Sequence, residues 1–175
     1  MPTDTVYGIG CRLDDADALA RLFAAKRRPP EKAVPWLVAS FDEIARLGFR
    51  GDHHAARLAE RFWPGALTLV LSASGGDGTQ AFRVPDHPLT LALLASAGPM
   101  AVSSANRSGE PETLDADDVA IAFADSDEPI ATLDGGRVPG GVASTVVDLS
   151  GQRPRLAREG ALSRAEIERV IGPID

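Results

Sequence analysis

The alternation of apolar and polar positions predicts short strands and helices that follow one another along the chain. Apolar residues recur at helical spacing over 14–26, 42–47, 53–62, 88–97, 115–124 and 163–171. Short apolar runs predict strands over 35–39, 67–72, 80–84, 100–104, 130–133, 144–149 and 154–158. Interleaved strands and helices are typical of an α/β (α+β-like) fold. We therefore expect a single domain over 1–175, with a twisted mixed β-sheet and flanking helices.

Capping and turn residues support several of these boundaries. Asp14 or Asp15 is placed to cap the first helix, and the prolines that follow this helix end it. The glycine-rich stretch 75–78 is the expected turn of a β-hairpin. Ser163 and Glu166 are spaced as a capping box at the start of the last helix.

Composition and charge narrow the class of protein. The chain has 175 residues and is 44% hydrophobic, which is enough to build a core and excludes bulk disorder. A net charge of −7 has the wrong sign for a protein that coats nucleic acid or an anionic membrane. No apolar run is long enough to span a bilayer and no signal peptide is visible, so we expect a cytoplasmic protein without membrane contact. The single cysteine, Cys11, excludes a disulfide framework and is expected to be a small buried filler.

Some residue types are rare enough to be informative. Of the 18 basic residues only Lys26 and Lys32 are lysines, and the chain has one asparagine, Asn106, and one tyrosine, Tyr7. A bias toward GC-rich codons explains this scarcity. Under such a bias, the residues that remain are candidates for tasks that their substitutes cannot perform. The acidic residues concentrate in 110–128, which contains no basic residue and is expected to be a solvated surface.

Two polar segments near the N-terminus could carry chemistry. The first, Pro2–Gly10, offers hydroxyl groups and glycines that allow close approach of a ligand, but it also fits an ordinary turn into a strand. The second contains four cations between Lys26 and Lys32, held by prolines. This cluster suits a polyphosphate, or it complements the negative C-terminal end of the helix dipole.

Two further polar segments follow later strands, where α/β sheets bind ligands. Asn106 follows the strand 100–104 and suits a nucleotide or an amino-acid head group, or an Asx turn. Ser144 and Arg158 lie at the ends of two C-terminal strands and are placed to face one cleft. Arg83 lies inside an apolar strand, so it needs either a ligand or a structural salt bridge.

Several common catalytic signatures are absent from the sequence. There is no P-loop, no complete Rossmann fingerprint, no H-E-x-x-H and no G-x-S-x-G. His53 and His54 are adjacent, so on a helix they are expected to point in different directions and to make a poor metal pair. His87 is expected to cap or pack at a helix start.

The ordered set of motifs resembles the YrdC-like family of L-threonylcarbamoyladenylate synthases, in its single-domain form. The matching motifs are PTDTVYGIG, K-x-R-P at 26–29, PGALTLVL, FRVPDHPL, S-x-N at 104–106 followed by SG, STVVDLS and REGA. Each motif is weak alone, but the set spans nearly the whole chain in order. The resemblance implies a nucleotidyltransferase that makes threonylcarbamoyl-AMP and pyrophosphate from L-threonine, bicarbonate and ATP, for threonylcarbamoyladenosine modification of tRNA.

The resemblance also implies which residues form the site. Those expected to bind L-threonine are Thr5, Arg83, Ser104 and Ser144. Those expected to bind ATP are Lys26, Arg28, Lys32, Asn106 and Arg158, of which Lys26 and Arg28 would be catalytic. No side chain is expected to bind a metal, because Mg²⁺ would bind the phosphates. A downstream threonylcarbamoyl transferase is the expected partner, together with a weak contact to tRNA.

Two departures from the family pattern stand out. The family carries a strand that runs into the Pro-Thr motif, so we expect either that an N-terminal strand before Pro2 is missing here or that the start site is wrong. The stretch 32–35 is looser than the family's K-P-L. Two alternatives also remain open: a non-catalytic RNA- or ribosome-binding relative that keeps the scaffold, and a paralogue that uses the cleft for another carbamoyl or adenylyl transfer.

Overall fold

One mixed β-sheet organises the computed structural model, which describes residues 1–29 and 33–175. The described strands are β1 (Gly8–Arg12), β2 (Trp36–Leu37), β3 (Phe49–Arg50), β4 (Leu67–Ala73), β5 (Thr79–Arg83), β6 (Met100–Ser104), β7 (Thr145–Asp148) and β8 (Arg155–Arg158). The described helices are α1 (Ala16–Lys26), α2 (Glu43–Arg46), α3 (His53–Phe62), α4 (Pro88–Ala97), α5 (Ala116–Ala122) and α6 (Arg164–Ile171). The predicted α/β class with a mixed sheet is therefore confirmed.

The sheet order differs from the chain order, so distant segments become neighbours. The strands run β1-β6-β2-β5-β4-β7-β8, and β3 pairs with β4 outside this path. The pairs β2–β5 and β4–β7 are parallel, whereas β4 and β5 form the antiparallel hairpin that the glycine-rich turn predicted. This order places the first strand, β1, at one edge of the sheet and the last strand, β8, at the other.

Several predicted elements agree with the structure to the residue. The predicted helices over 53–62 and 88–97 are α3 and α4, and the predicted strand over 100–104 is β6. The capping box of α6 is present, and Asp15 caps α1 by accepting from the backbone N–H of Ala18 at 2.9 Å. These elements have strong local signals, because caps and prolines fix their ends.

The strand predicted over 130–133 is wrong. The chain over 129–140 is irregular, and the side chains from Ala131 to Arg137 are exposed. A short apolar run becomes a strand only where the edge of a sheet can pair with it. The irregular segment 129–140 instead contacts the Tyr7 hydroxyl, through Gly135 and Gly136. The strand β3 was not predicted, because two residues carry no periodicity.

The main core lies on one face of the sheet, against α3 and α6. Alternate residues of β4, from Leu67 to Leu71, pack there with Phe82 of β5 and Val147 of β7. Because successive side chains of a strand point to opposite faces, the residues between these core positions face the other side of the sheet. That second face carries the polar residues of the candidate site.

Candidate active site

A cleft of about 300 Å³ lies on the sheet face opposite the main core. On β4, Thr68 lines the cleft while its neighbours Leu67 and Leu69 lie in the core. On β5, Arg83 lines the cleft while Phe82 lies in the core. The period of two in each strand thus separates one apolar face from one polar face.

Strand register brings these cleft residues together from distant parts of the chain. The aligned pairs across the face are Gly8–Ser104, Leu37–Arg83, Thr68–Val146 and Val146–Arg158. The first three pairs join strands that are far apart in sequence, whereas β7 and β8 follow each other along the chain. The cleft floor is therefore a product of the strand order, with hydroxyl groups and guanidinium groups projecting from several strands.

Most of the predicted site residues lie at this cleft. Those that line it are Thr5, Arg28, Arg83, Ser104, Ser144 and Arg158. Lys26 and Asn106 are buried nearby but do not line it. Lys32 lies outside the described residues. The structure thus brings together the whole set predicted for L-threonine and part of the set predicted for ATP.

Arg83 is buried and held at three points. Its Nε donates to the Gly65 carbonyl at 3.0 Å, its Nη1 to Thr5 Oγ1 at 3.1 Å and its Nη2 to Asp4 Oδ1 at 2.5 Å. Burial lowers the pKa of this guanidinium, while the carboxylate of Asp4 raises it. A guanidinium has five N–H groups, so this arrangement leaves one on each terminal nitrogen for a ligand.

The N-terminal turn that carries Thr5 is organised by Thr3. The Thr3 hydroxyl donates to the Val6 carbonyl at 2.6 Å and accepts from the backbone N–H of Thr5 at 3.1 Å. Thr3 Oγ1 and Thr5 Oγ1 are 3.0 Å apart, and both side chains are buried. This turn, which the Thr3 hydroxyl stabilises, holds Thr5 against Arg83 just before the start of β1.

Ser144 connects β4 to the guanidinium of Arg158. Its hydroxyl lies 2.8 Å from Thr68 Oγ1, and its carbonyl accepts from Arg158 Nη2 at 2.9 Å. The Ser144 hydroxyl also lies 3.3 Å from the same nitrogen. The prediction that Ser144 and Arg158 face one cleft is confirmed by these contacts.

Lys26 is turned inward, away from the cleft. Its side chain is 1% exposed, and Nζ donates to the carbonyls of Ser104, at 2.5 Å, and Asn106. Burial lowers the pKa of this amine to about 8, and the positive charge of Arg28 contributes. In this arrangement Lys26 joins the end of α1 to the loop that follows β6.

The loop after β6 is fixed by its own side chains. The Ser104 hydroxyl donates to Asn106 Oδ1 at 2.6 Å, and Asn106 Nδ2 donates to the Glu110 carbonyl at 2.6 Å. Arg28 also lines the cleft, and it donates from Nη2 to the Ala33 carbonyl at 2.9 Å. Its Nε is buried and has no hydrogen-bond partner among the described residues.

Three residues near the cleft were missed by sequence reasoning. Thr68 is a polar position within the apolar strand LTLVL, and that break in the pattern was a usable signal. Asp4 pairs with Arg83, but an acidic residue in a turn gives no sign of a distant partner. Glu112 is the single carboxylate among the described lining residues, and it lies inside an acidic stretch that predicted only solvation.

Other candidates lie outside this cleft. An apolar cavity of about 460 Å³ is bordered by β1, α1 and the irregular segment 128–133. The prediction that His53 and His54 point apart is wrong, because their ring centroids are 3.8 Å apart at the first turn of α3. Cys11 is only half-buried, and burial raises the pKa of its thiol. Within the described residues, no helix has the length and apolar character needed to cross a membrane.

Similarity to known proteins extends over nearly the whole chain. Residues 1–160 match the family model Sua5_yciO_yrdC, described as "Telomere recombination". The chain is 43% identical over 183 residues to a threonylcarbamoyl-AMP synthase of Pyrococcus abyssi, covering 99% of this chain and 53% of the relative. It is 42% identical over 180 residues to a putative threonylcarbamoyl-AMP synthase of Mycobacterium tuberculosis, covering 98% of this chain and 82% of the relative.

Solved structures support the same relationship. The crystal structure of P. abyssi Sua5 complexed with L-threonine has a TM-score of 0.88 and 42% identity, covering 99% of this chain and 53% of that one. The crystal structure of Escherichia coli YciO has a TM-score of 0.80 and 25% identity, covering 95% of this chain and 84% of that one. The chain thus spans about half the length of the P. abyssi relative. By sequence and by fold, the chain belongs to the Sua5/YciO/YrdC family.

Proposed function

We propose that this chain is an L-threonylcarbamoyladenylate synthase, which makes threonylcarbamoyl-AMP and pyrophosphate from L-threonine, bicarbonate and ATP. The observation that carries the proposal is the convergence of Arg83, Thr5 and Ser144 with Arg28 and Arg158 at one cleft. Two relatives that are 40% or more identical to this chain over the aligned residues support the proposal, since both are named threonylcarbamoyl-AMP synthase. The transfer of AMP to an oxygen nucleophile makes the enzyme a nucleotidyltransferase.

The buried end of the cleft fits the amino acid. Arg83 keeps one N–H on each terminal nitrogen, which suits the two oxygens of the substrate's α-carboxylate. Thr5, Ser104 and Ser144 supply hydroxyl groups that both donate and accept, which suits the substrate's hydroxyl and amine. We call this the threonine end of the cleft, formed by Thr5, Arg83, Ser104 and Ser144.

The other end fits a polyphosphate. Arg28 and Arg158 line the cleft, Asn106 is buried within the adjoining loop, and Lys26 is buried against that loop. We call this the phosphate end, formed by Lys26, Arg28, Asn106 and Arg158. Guanidinium groups bind phosphate oxygens in pairs and keep their charge at any physiological pH.

Magnesium would enter with ATP, as the metal complex of the phosphates. Mg²⁺ prefers oxygen ligands and keeps several waters, with one or two carboxylates at most from the protein. The described lining fits that preference, since Glu112 is its single carboxylate. When bound, the metal would neutralise phosphate charge.

The reaction needs position and charge neutralisation more than a strong base. Threonine's amine and bicarbonate condense to a carbamate with release of water. A carbamate oxygen then forms a bond to the α-phosphorus, and the bond from that phosphorus to the bridging oxygen of pyrophosphate breaks. Arg83 would hold the carboxylate, while the phosphate end would stabilise the charge on the leaving pyrophosphate.

The proposal is tested by the release of pyrophosphate from ATP. With the chain, Mg²⁺, ATP, bicarbonate and L-threonine, we expect release that stops when threonine or bicarbonate is omitted. Mass spectrometry should detect threonylcarbamoyl-AMP. Release without threonine would favour a paralogue with another adenylyl transfer, and absence of release with tight RNA binding would favour the non-catalytic relative.

The product would serve tRNA modification. A threonylcarbamoyl transferase must consume this labile adenylate, so we expect such an enzyme as the downstream partner, in the cytoplasm, where ATP and tRNA are available. A net charge of −7 makes strong direct binding to tRNA unfavourable, so any contact with tRNA is expected to be weak. This step is tested by incubating the chain and its substrates with a threonylcarbamoyl transferase and tRNA, and by measuring the modified adenosine that forms.

A further inference from the structure

Asp4 is a half-buried carboxylate beside the cleft that the proposed reaction does not use. Its side chain is 16% exposed, and its Oδ1 lies 2.5 Å from Nη2 of Arg83. The same oxygen accepts from the backbone N–H of Asp86 at 3.0 Å. Asp4 thereby ties the N-terminal turn to the loop that follows β5, and it contacts the guanidinium from the side of that turn.

We infer that Asp4 is the positioning residue of Arg83, and that its carboxylate sets the orientation in which the guanidinium receives the α-carboxylate of the substrate. This inference rests on the proposed function, which assigns Arg83 to that carboxylate. Asp4 is absent from the lining of the cleft, so it acts through Arg83 and has no contact with the substrate.

The donor arrangement of Arg83 supports this role. Gly65, Thr5 and Asp4 each accept one N–H, from Nε, Nη1 and Nη2 respectively. A guanidinium held at all three nitrogens cannot rotate without losing a hydrogen bond. The two N–H groups that remain, one on each terminal nitrogen, match the two oxygens of a carboxylate. Fixed orientation reduces the entropy that substrate binding must otherwise overcome.

The charges around Arg83 make Asp4 necessary for this orientation. The side chain of Arg83 is 9% exposed, and Arg158 places a second positive charge on the same cleft. Burial and Arg158 both disfavour the charged guanidinium, and Asp4 is the carboxylate that offsets them. Without it, Arg83 would retain only neutral partners, and a charged group under those conditions moves toward water.

The inference is tested with steady-state kinetics of the full chain, with Asp4→Asn as the main variant. We expect the KM for L-threonine to rise about tenfold or more, because small displacements of a binding group cost affinity steeply. The KM for ATP should stay within about twofold, since the phosphate end does not contact Asp4. The preference for L-threonine over L-threoninamide, which lacks the carboxylate charge, should fall by a factor similar to the KM change.

A matched control is available in Asp148→Asn. Asp148 is 20% exposed, pairs with Arg155 at 3.0 Å and accepts a backbone N–H from Ser150, but it does not line the cleft. The Asp148→Asn variant should lose about as much stability as Asp4→Asn. Its KM values for L-threonine and for ATP should equal those of the wild type. The variant Asp4→Glu keeps the charge, so it should restore part of the affinity for threonine. It also serves as the test if Asp4→Asn does not fold, with a smaller expected rise in the same KM.

A double-mutant cycle separates positioning from general stability. In an Arg83→Ala background, Asp4→Asn should change the KM for threonine by less than about twofold, because its effect passes through Arg83. An unchanged or lower KM for threonine in Asp4→Asn, or an unchanged preference over threoninamide, would overturn the inference. A loss of affinity for ATP equal to that for threonine would overturn it as well.

Failure of the proposed function gives a different result. If the wild-type chain releases no pyrophosphate with threonine, the proposed function fails, and the inference is then read from threonine binding by calorimetry. Weaker binding by Asp4→Asn than by Asp148→Asn supports it. Equal binding by the two variants, or no binding of threonine to the wild-type chain, overturns it.

Discussion

The two ends of the cleft differ in how far their polar groups are already paired. At the threonine end, Arg83 makes three hydrogen bonds and Ser144 is held by Thr68 and Arg158. At the phosphate end, Lys26 donates to two carbonyls inside the protein, and Arg28 Nε has no partner among the described residues. The two ends therefore differ chiefly in their cleft-lining arginines: Arg83 makes three described side-chain hydrogen bonds and Arg28 makes one.

This difference suggests how the two substrates would be received. A preorganised site binds with little rearrangement, so the threonine end is expected to accept the amino acid directly. Lys26 already donates two of its three N–H groups to carbonyls inside the protein, so it has one left for a phosphate unless it gives up those bonds. Substitutions at the two ends should therefore differ in their effects on folding as well as on catalysis.

The largest effect is expected at the threonine end, for Arg83→Ala. Removal of the guanidinium leaves Asp4 without its buried partner and the substrate carboxylate without a receptor, so kcat/KM for threonine should fall on the order of a thousandfold. Initial rates of pyrophosphate release at varied threonine measure it. If Arg83→Ala kept the wild-type kcat/KM, the threonine end of the cleft would not be the site that binds the amino acid.

At the phosphate end, Arg28→Ala is expected to lower pyrophosphate release about a hundredfold, because a charge-stabilising group is lost. Its thermal unfolding should change little, since its described hydrogen bond goes to one carbonyl. The neighbouring Arg27→Ala is the matched control, because Arg27 is exposed and pairs with Asp125 away from the cleft. Equal rates in the two variants would contradict the assignment of Arg28.

Lys26→Ala should also lower pyrophosphate release about a hundredfold. Unlike Arg28→Ala, it should lower the free energy of unfolding, because the carbonyls of Ser104 and Asn106 lose a buried donor. Chemical denaturation beside the rate assay separates the two effects. A variant that is as stable as the wild type would show that the inward hydrogen bonds contribute nothing to folding.

The buried amine of Lys26 predicts a pH dependence of stability. Its pKa is lowered from 10.5 to about 8 in the folded protein, so between these values the unfolded chain binds more protons. The free energy of unfolding should therefore rise with pH across this window, relative to Lys26→Met. Denaturation of both proteins at about pH 7.5, below the window, and at about pH 9.5, inside it, tests the sign. A difference that is constant or falls with pH would contradict the buried, charged lysine.

The smallest effect is expected for Thr68→Val. This change keeps the shape of the side chain and removes one hydrogen bond to Ser144, so the KM for threonine should rise about fivefold or less. The KM for ATP should not change. A larger effect on ATP than on threonine would mean that the division of the cleft into two ends is wrong.

Local signals in the sequence were enough for most elements and for the identity of many site residues. The ends of α4 and α6 are fixed by a proline and a capping box, which act within one turn of helix. The motifs around Thr5, Arg83 and Ser144 pointed to a threonine site, and these residues do line one cleft. Their assignment to substrates stays a prediction.

Contacts between distant segments could not be predicted. The sequence marked Lys26 as exceptional, but nothing local indicates that its ammonium bonds to carbonyls 78 and 80 residues away. Asp4 meets Arg83 across 79 residues, and the segment 130–133 has a strand-like composition without a strand to pair with. These contacts, and the failure of 130–133 to form a strand, depend on which strand edges can still pair and which faces of the sheet can still be packed against.

The sequence by itself determined most of the elements, the α/β class and the set of residues around which a cleft could form, because periodicity, caps and prolines act over a few residues. The tertiary structure alone decided which of those residues meet. Strand order and register place Arg83 beside Thr5 and Asp4, and they turn Lys26 inward. The physical reason is that a charged side chain takes its final direction from the partners that burial leaves within reach, and those partners come from other segments of the chain.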